Sequence, residues 1–382
     1  MVFPKQYGWA EYSKELFIMQ LMYTTFFDAS FIVSGIAAIT FFLYALRNYR
    51  GAKSPKNASG DKISRVVSIV PAPAQGSSRQ LRPLSFFVQF VSAQIDILHL
   101  SMRKNRPSSV NLEADADTEY EMADTALAMQ PDVIALGRLG MVFMWTLAFT
   151  LAMVMLFRTL ITHHAPWVNM YEATIALACF LTIVYLIFAI RYHTNALGVF
   201  VATASFLLLL YAQWVGVAYN QAQPLEFGQI TPALQDNPIL ALHVSMMIIS
   251  YAFLMVSFGC ALIMLAQGDS GAVRYSWLPS FEAADDLGYR AVIVGFPLLA
   301  IGIILGAYWA NYAWGHYWSW DPKETSALIT WLVYAVYLHL RGIYSIRGRF
   351  IAWVLVAGFV ATLFTYIGVS FLVPGLHSYG GV

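Results

Sequence analysis

Three histidines and one dense run of indoles carry most of the chemistry open to this sequence. His243 stands near the start of an apolar run, His339 near the end of another, and His377 just past the last. An imidazole in or near a membrane span is costly unless it has a partner or a ligand, which makes it a functional candidate by default. Neutral imidazole is also the commonest metal ligand among side chains. Tyr308, Trp309, Tyr312, Trp314, Tyr317, Trp318 and Trp320 fall within one short segment, closed by Asp321-Pro322-Lys323-Glu324. An interfacial aromatic belt accounts for a few such residues, not for this density. A flat apolar face made of indoles suits a large planar ligand. The acidic close has two readings. Asp321 and Glu324 either belong to the site or only start a helix, with Asp321 as N-cap, Pro322 at the first position and Glu324 completing a capping box.

The elements that must position these residues are membrane helices. The chain has 382 residues, 59% hydrophobic and 11% charged, far below the roughly quarter charged of a soluble domain. Its apolar runs read as eight spans: Met22–Leu46, Ile134–Phe157, Tyr171–Ile190, Ala196–Gly216, Ile239–Ala266, Ala291–Ala310, Thr325–Leu340 and Phe350–Leu372. Each is about long enough to cross the hydrocarbon as a helix, and helices satisfy their own backbone groups in lipid. The expected fold is an all-α polytopic membrane bundle. Lys5, Glu11, Lys14 and Glu15 precede the first span, which is unlike a cleavable signal. Cys179 and Cys260 both lie in apolar runs, and neither C-x-x-C nor C-x-x-C-H occurs. Dithiol exchange and covalent c-type haem carriage are thereby excluded. No nucleic-acid partner is expected.

Charge sets the orientation. Half of the 22 Lys and Arg lie between Arg47 and Arg106. If the spans alternate, Arg138, Arg191, Arg274, Arg290, Arg341, Arg347 and Arg349 join them on one side. Lys5, Lys14, Arg158 and Lys323 are left on the other. The positive-inside rule then puts both termini outside the cytoplasm. The organisation expected is an N-terminal segment with the first span (1–46), a long cytoplasmic loop (47–133) and a membrane core (134–382) with the aromatic loop at 308–324. Within the long loop, 51–80 has a disordered composition. Polar residues at helical spacing over Leu84–Arg103 predict an amphipathic helix, lying either on the inner membrane surface or on another protein.

Trp314-Gly-His-Tyr-Trp-Ser-Trp-Asp-Pro-Lys-Glu324 resembles the tryptophan-rich "WWD" signature of haem-handling proteins. Those include the CcsA/ResC component of the system II cytochrome c synthase and the CcmC and CcmF proteins of system I. Pro166-Trp-Val-Asn-Met-Tyr-Glu172, Leu242-His243-Val244, Tyr337-Leu-His339-Leu340 and Gly375-Leu-His377-Ser-Tyr-Gly-Gly-Val382 resemble CcsA/ResC specifically, from about Ile134 onward. The resemblance implies that His243 and His377 are axial iron ligands of an extracytoplasmic haem b in transit. Trp314, Tyr317, Trp318, Trp320, Asp321 and Lys323 would surround it. His339 would be one ligand of a second haem inside the membrane, with the other ligand supplied by a ResB-like partner. Apocytochrome c would be the acceptor, and a thiol-reducing thioredoxin-like membrane protein a further partner. The implied activity is covalent attachment of haem to CxxCH at the cell membrane. The alternatives are a haem exporter or relay without lyase activity, and a b-type cytochrome that carries electrons.

The remaining polar residues have plainer readings beside the functional one. His163 and His164 either line the mouth of the site or sit at the interface. His316 fills the variable position of the signature, and His99 and His193 read as solvated. His339 has a snorkelling alternative beside Arg341. Asn169, Tyr171 and Glu172 either support the pocket or cap a helix. Arg158 and Lys323 are candidate cations for haem propionates.

Overall fold

In a computed structural model of the chain, the described residues are 9–51, 131–192, 194–222, 238–268, 274–275, 277–373 and 375. The chain divides into two compact units, Met1–Ser54 with Pro131–Val382, and Pro55–Gln130. The second unit lies outside the described residues, as do Leu84–Arg103 with His99, and also His193 and His377.

The described residues form helices and no strands. Eight helices are long and apolar enough to span a membrane. They are α1 (Trp9–Gly51), α2 (Pro131–Thr162), α3 (Met170–Tyr192), α4 (Leu197–Ala218), α5 (Pro238–Gln267), α6 (Phe281–Trp314), α7 (Pro322–Ile343) and α8 (Arg349–Leu372). All eight expected spans are present. An informative difference is at α6, which starts at Phe281, with Ser280 as its N-cap accepting from the Ala283 N–H. Glu282, Asp285, Asp286 and Arg290 interrupt the apolar run ahead of Ala291, where the sequence places the span. The helix keeps them because Arg341 of α7 pairs with Asp285 at 2.8 Å and with Asp286 at 2.7 Å.

Two helices depart from α geometry at informative places. α7 winds as a π turn over His339–Ile343, and α8 does so over Phe364–Gly368. Isolated π turns inside helices occur frequently at functional sites.

α3 and α5 are the most enclosed spans, with 78% and 72% of their most apolar windows buried, against 33% for α1. α5 and α6 pack along a glycine seam. Gly288, Gly295 and Gly302 of α6 recur every seventh residue and meet Cys260, Leu254 and Met247 of α5. A seven-residue repeat keeps one face of a supercoiled helix toward its neighbour. Small residues there let membrane helices approach closely where the hydrophobic effect does not drive association. Phe41 of α1 fills the notch left by Gly140 of α2 and Gly198 of α4. That contact ties the peripheral first helix to the bundle.

Candidate functional site

The aromatic loop is built from its two helix ends. α6 stops at Trp314 because Gly315 adopts φ +82°, with its N–H bonded to the Asn311 carbonyl. Glycine accepts that left-handed conformation without steric cost. α7 starts with a complete capping box. Asp321 accepts the Lys323 N–H at 3.0 Å, and Glu324 accepts the Asp321 N–H at 3.3 Å. Glu324 also accepts the Ser319 N–H at 2.8 Å. Its carboxylate thus clasps the backbone on both sides of Trp320, whose φ is +59°. A side chain in this region costs about 1–2 kcal/mol, and the clasp holds Trp320 there with its indole 70% exposed.

The ends of several helices enclose one cavity of about 550 Å³. Its wall includes His163, His164 and Trp167 from the α2–α3 connection, and Tyr219 and Gln221 from beyond α4. His243 and Met247 of α5, Trp309 of α6, Trp318 of the loop, Lys323 and Glu324 of α7, and Tyr366 and Ser370 of α8 complete it. Alternating spans bring these ends together.

His243 is fixed from two directions. Its Nδ1–H donates to the Gly302 carbonyl at 2.7 Å. A carbonyl only accepts, so the imidazole lone pair is on Nε2, the tautomer a metal ligand needs. Gly306, one turn beyond Gly302, makes room for the ring. Lys323 is the one Lys or Arg among the described residues lining the cavity. Its Nζ reaches Ser370 Oγ at 3.5 Å.

The sequence-derived site residues separate into groups. His243, Trp318 and Lys323 line the cavity. Trp314 does not. It packs edge-to-face on the buried Trp309 at 4.9 Å and supports the wall from behind. Tyr317 and Trp320 are 57% and 70% exposed and lie outside the lining, and Trp320 meets Trp318 edge-to-face at 5.7 Å. Asp321 caps α7 and lies against Gly375, where an added Cβ would stand 2.5 Å from Asp321 Oδ1. His377 is outside the described residues. His316 is exposed and absent from the lining. His339 opens the π turn of α7, with its Nδ1–H on the Ala335 carbonyl at 2.8 Å. It is sixteen residues along the helix from Lys323, roughly 24 Å by helical rise, so it belongs to the other end of the bundle.

Arg158 is not a cavity cation. Its Nε pairs with Glu172 Oε1 at 2.7 Å, both side chains being 2% exposed. A further guanidinium N–H donates to the Ala222 carbonyl at 2.9 Å. It buttresses the junction of α2, α3 and the segment after α4. Asn169 caps α3, accepting the Glu172 N–H at 2.9 Å, and also lines the cavity. Trp309, Trp167 and His164 are wall residues outside the expected ligand set. Trp309 belongs to the aromatic run, Trp167 to one of the resembling motifs, and His164 to a pair with mouth-lining and interfacial readings.

A multi-pass helical membrane protein with a histidine- and tryptophan-walled cavity at one end of its bundle is the class these features define. A family model described as cytochrome c assembly protein matches residues 167–377, which include His243, Trp309, Trp318 and Lys323 of this wall. CcsA, the cytochrome c biogenesis protein of Chlamydomonas reinhardtii, is 36% identical over 279 residues, covering 71% of this chain and 77% of that protein. CcsA of Mesostigma viride is 37% identical over 270 residues, 64% of this chain and 86% of the relative. CcsA of Prochlorococcus marinus is 35% identical over 259 residues, 61% and 80% respectively. The solved cytochrome c heme lyase CcmF is 19% identical with a TM-score of 0.46, covering 61% of this chain and 41% of that one, a likeness too slight to bear on the fold. The chain belongs to the CcsA family of cytochrome c assembly proteins. Its role lies in cytochrome c biogenesis.

Proposed function

We propose that the chain receives haem b as a substrate in transit and presents it in this cavity on the extracytoplasmic face. With a ResB-like membrane partner, it then attaches the haem to the CxxCH of apocytochrome c. The observation that carries this reading is one cavity that joins His243, in the Nε2-ligand tautomer, to indole walls and a lysine. Trp309 and Trp318 would hold the porphyrin, and Lys323 would meet a propionate. His243 would bind the iron from one side. His377, two residues after the Gly375 that rests on Asp321, would bind it from the other. His339 would serve a separate haem inside the membrane together with a ligand from the partner.

In the attachment step each thiol adds across a haem vinyl group. The sulfur bonds to one vinyl carbon and the hydrogen goes to the other. The apocytochrome's histidine replaces one imidazole on the iron. The chain contributes positioning, which makes the encounter effectively unimolecular, and no nucleophile of its own. Coexpression with a ResB-like partner and an apocytochrome, assayed for covalent haem, tests the reading. Covalent haem is expected. Bound but unattached haem would make the chain a relay, and its absence from the complex would remove the haem role.

A further inference from the structure

On one side the cavity wall is a contact between aromatic rings. Tyr219, just past the end of α4, and Phe371, near the end of α8, both line the cavity, and their rings meet at 5.6 Å. Trp214 of α4 completes a triangle, 5.7 Å from Tyr219 and 6.2 Å from Phe371. It is exposed and lies outside the lining. Leu207, Leu210, Trp214 and Val217 are exposed apolar residues at helical spacing, the face that a membrane span turns to lipid. Three rings in contact thus run from the lipid-facing stripe of α4 to the cavity wall. The helices on either side pack chiefly elsewhere, α4 against α3 and α1, and α8 against α5 and α7.

The two edges of this contact differ. Beyond Tyr219 the chain is tied down. The Gln221 and Ala222 carbonyls accept from the Arg158 guanidinium at 3.5 and 2.9 Å. Asn169 Nδ2 donates to the Gln221 carbonyl at 3.3 Å, and Gln221 Oε1 accepts the Tyr171 N–H at 3.2 Å. Phe371 instead follows the π turn at Phe364–Gly368 and stands one residue before the helix end. Helices bend at π turns, so Phe371 is the edge that can move. Ring pairs at these spacings attract weakly, and side chains exchange rotamers far faster than packed helices separate.

We infer that this contact is a lateral port. Haem passes through it, between α4 and α8, from the half of the bilayer at this end of the bundle into the cavity. Phe371 is the moving leaf, Tyr219 the fixed jamb and Trp214 the lipid-side sill. The inference rests on the haem reading above and adds the route. A porphyrin is planar and apolar, so it partitions into lipid and slides between ring faces, and opening the port parts side chains without parting helices.

The test uses the full chain with His339→Ala, which removes the distant imidazole, in phosphatidylcholine nanodiscs. Haemin is either preloaded in the bilayer or added from water, and the Soret band is followed in time. With bilayer haemin, Trp214→Ala should raise the uptake and release rates several-fold each and leave their ratio, the affinity, as it was. Trp214→Phe keeps a ring and should stay near the parent rates. A cleavable bismaleimide then tethers Trp214→Cys to Phe371→Cys; Cys179 and Cys260 are buried away from the reagent. Tethering should slow both rates several-fold, and cleaving the tether in the same double variant should restore them. Unchanged rates in either Trp214→Ala or the tethered chain would overturn the port. So would an altered affinity in Trp214→Ala, which makes that indole part of the binding wall, or effects confined to haemin added from water. Failure of the parent chain to bind haemin at all would instead overturn the haem cavity itself.

Discussion

Gly306 of α6 lies against His243 of α5 so closely that a Cβ there would stand 2.6 Å from the imidazole Cε1 and 2.8 Å from Nδ1. The same helix supplies the Gly302 carbonyl that accepts from Nδ1–H and fixes the ring's tautomer. Helix packing and ligand orientation are therefore one arrangement. Gly306→Ala should push the ring off its seat and lower haem retention in the cavity by about 10–100-fold, the usual cost of disturbing a ligand's support. Haem content of the purified chain, compared with Gly35→Ala, where an added Cβ meets its nearest neighbour at 3.4 Å, measures it.

His243→Ala and His377→Ala should each abolish cytochrome c maturation, with covalent haem on the coexpressed apocytochrome as the readout. Normal maturation in either variant would remove that residue from the iron. Lys323→Met should weaken haem binding, while Lys323→Arg should retain most of it, since both propionate donors are cationic.

Trp320 trades stability for display. Trp320→Gly should relieve the left-handed backbone by about 1 kcal/mol and raise the thermal midpoint in detergent. Glu324→Ala, which opens the clasp on Ser319 and Asp321, should lower the midpoint by a similar amount, about 1 kcal/mol for a lost cap.

Arg158 and Glu172 test the other side of the site. Removing either partner leaves a buried charge, so Arg158→Ala or Glu172→Ala should destabilise by about 3–5 kcal/mol. The double replacement Arg158→Met with Glu172→Leu should recover most of that. Haem bound per folded molecule should be unchanged in the double variant. A propionate contact would instead lower it.

At the far end, Arg341 ties the π turn that begins at His339 to Asp285 and Asp286, and rests over the Tyr289 ring at 5.0 Å. Asp285→Ala should lower the haem that copurifies with the partner complex in the same direction as His339→Ala. The spectrum of the aromatic-end cavity should stay as it is. Unchanged copurifying haem in His339→Ala would take that residue off the haem path.

The spans were legible because hydropathy over some twenty residues survives any detail of packing. Their ends were less so. The acidic start of α6 reads as loop until Arg341, fifty-odd positions later, is seen to neutralise it. The capping box of α7 was legible because it is local. The direction of each indole was not. Trp314, Trp318 and Trp320 are neighbours in sequence, yet only Trp318 reaches the cavity wall. Their aim depends on a left-handed glycine at 315 and a clasped residue at 320, not on any periodicity. His164 has both a mouth-lining and an interfacial reading in sequence, and its place in the wall appears only in three dimensions.

The π turn of α8 has a consequence for tolerance to length change. Five residues fill a turn that α geometry would close with one fewer, so everything beyond Gly368 is swung by about 100° from its α-helical bearing. Ser370 and Phe371 face the cavity in that shifted phase. Deleting a single residue within Phe364–Gly368 would leave a longer, more regular helix whose last turn points elsewhere. Lys323 would lose its hydroxyl neighbour, and Gly375 its place beside Asp321. An insertion–deletion scan of α8 should therefore find this stretch the least forgiving, although no side chain in it need change.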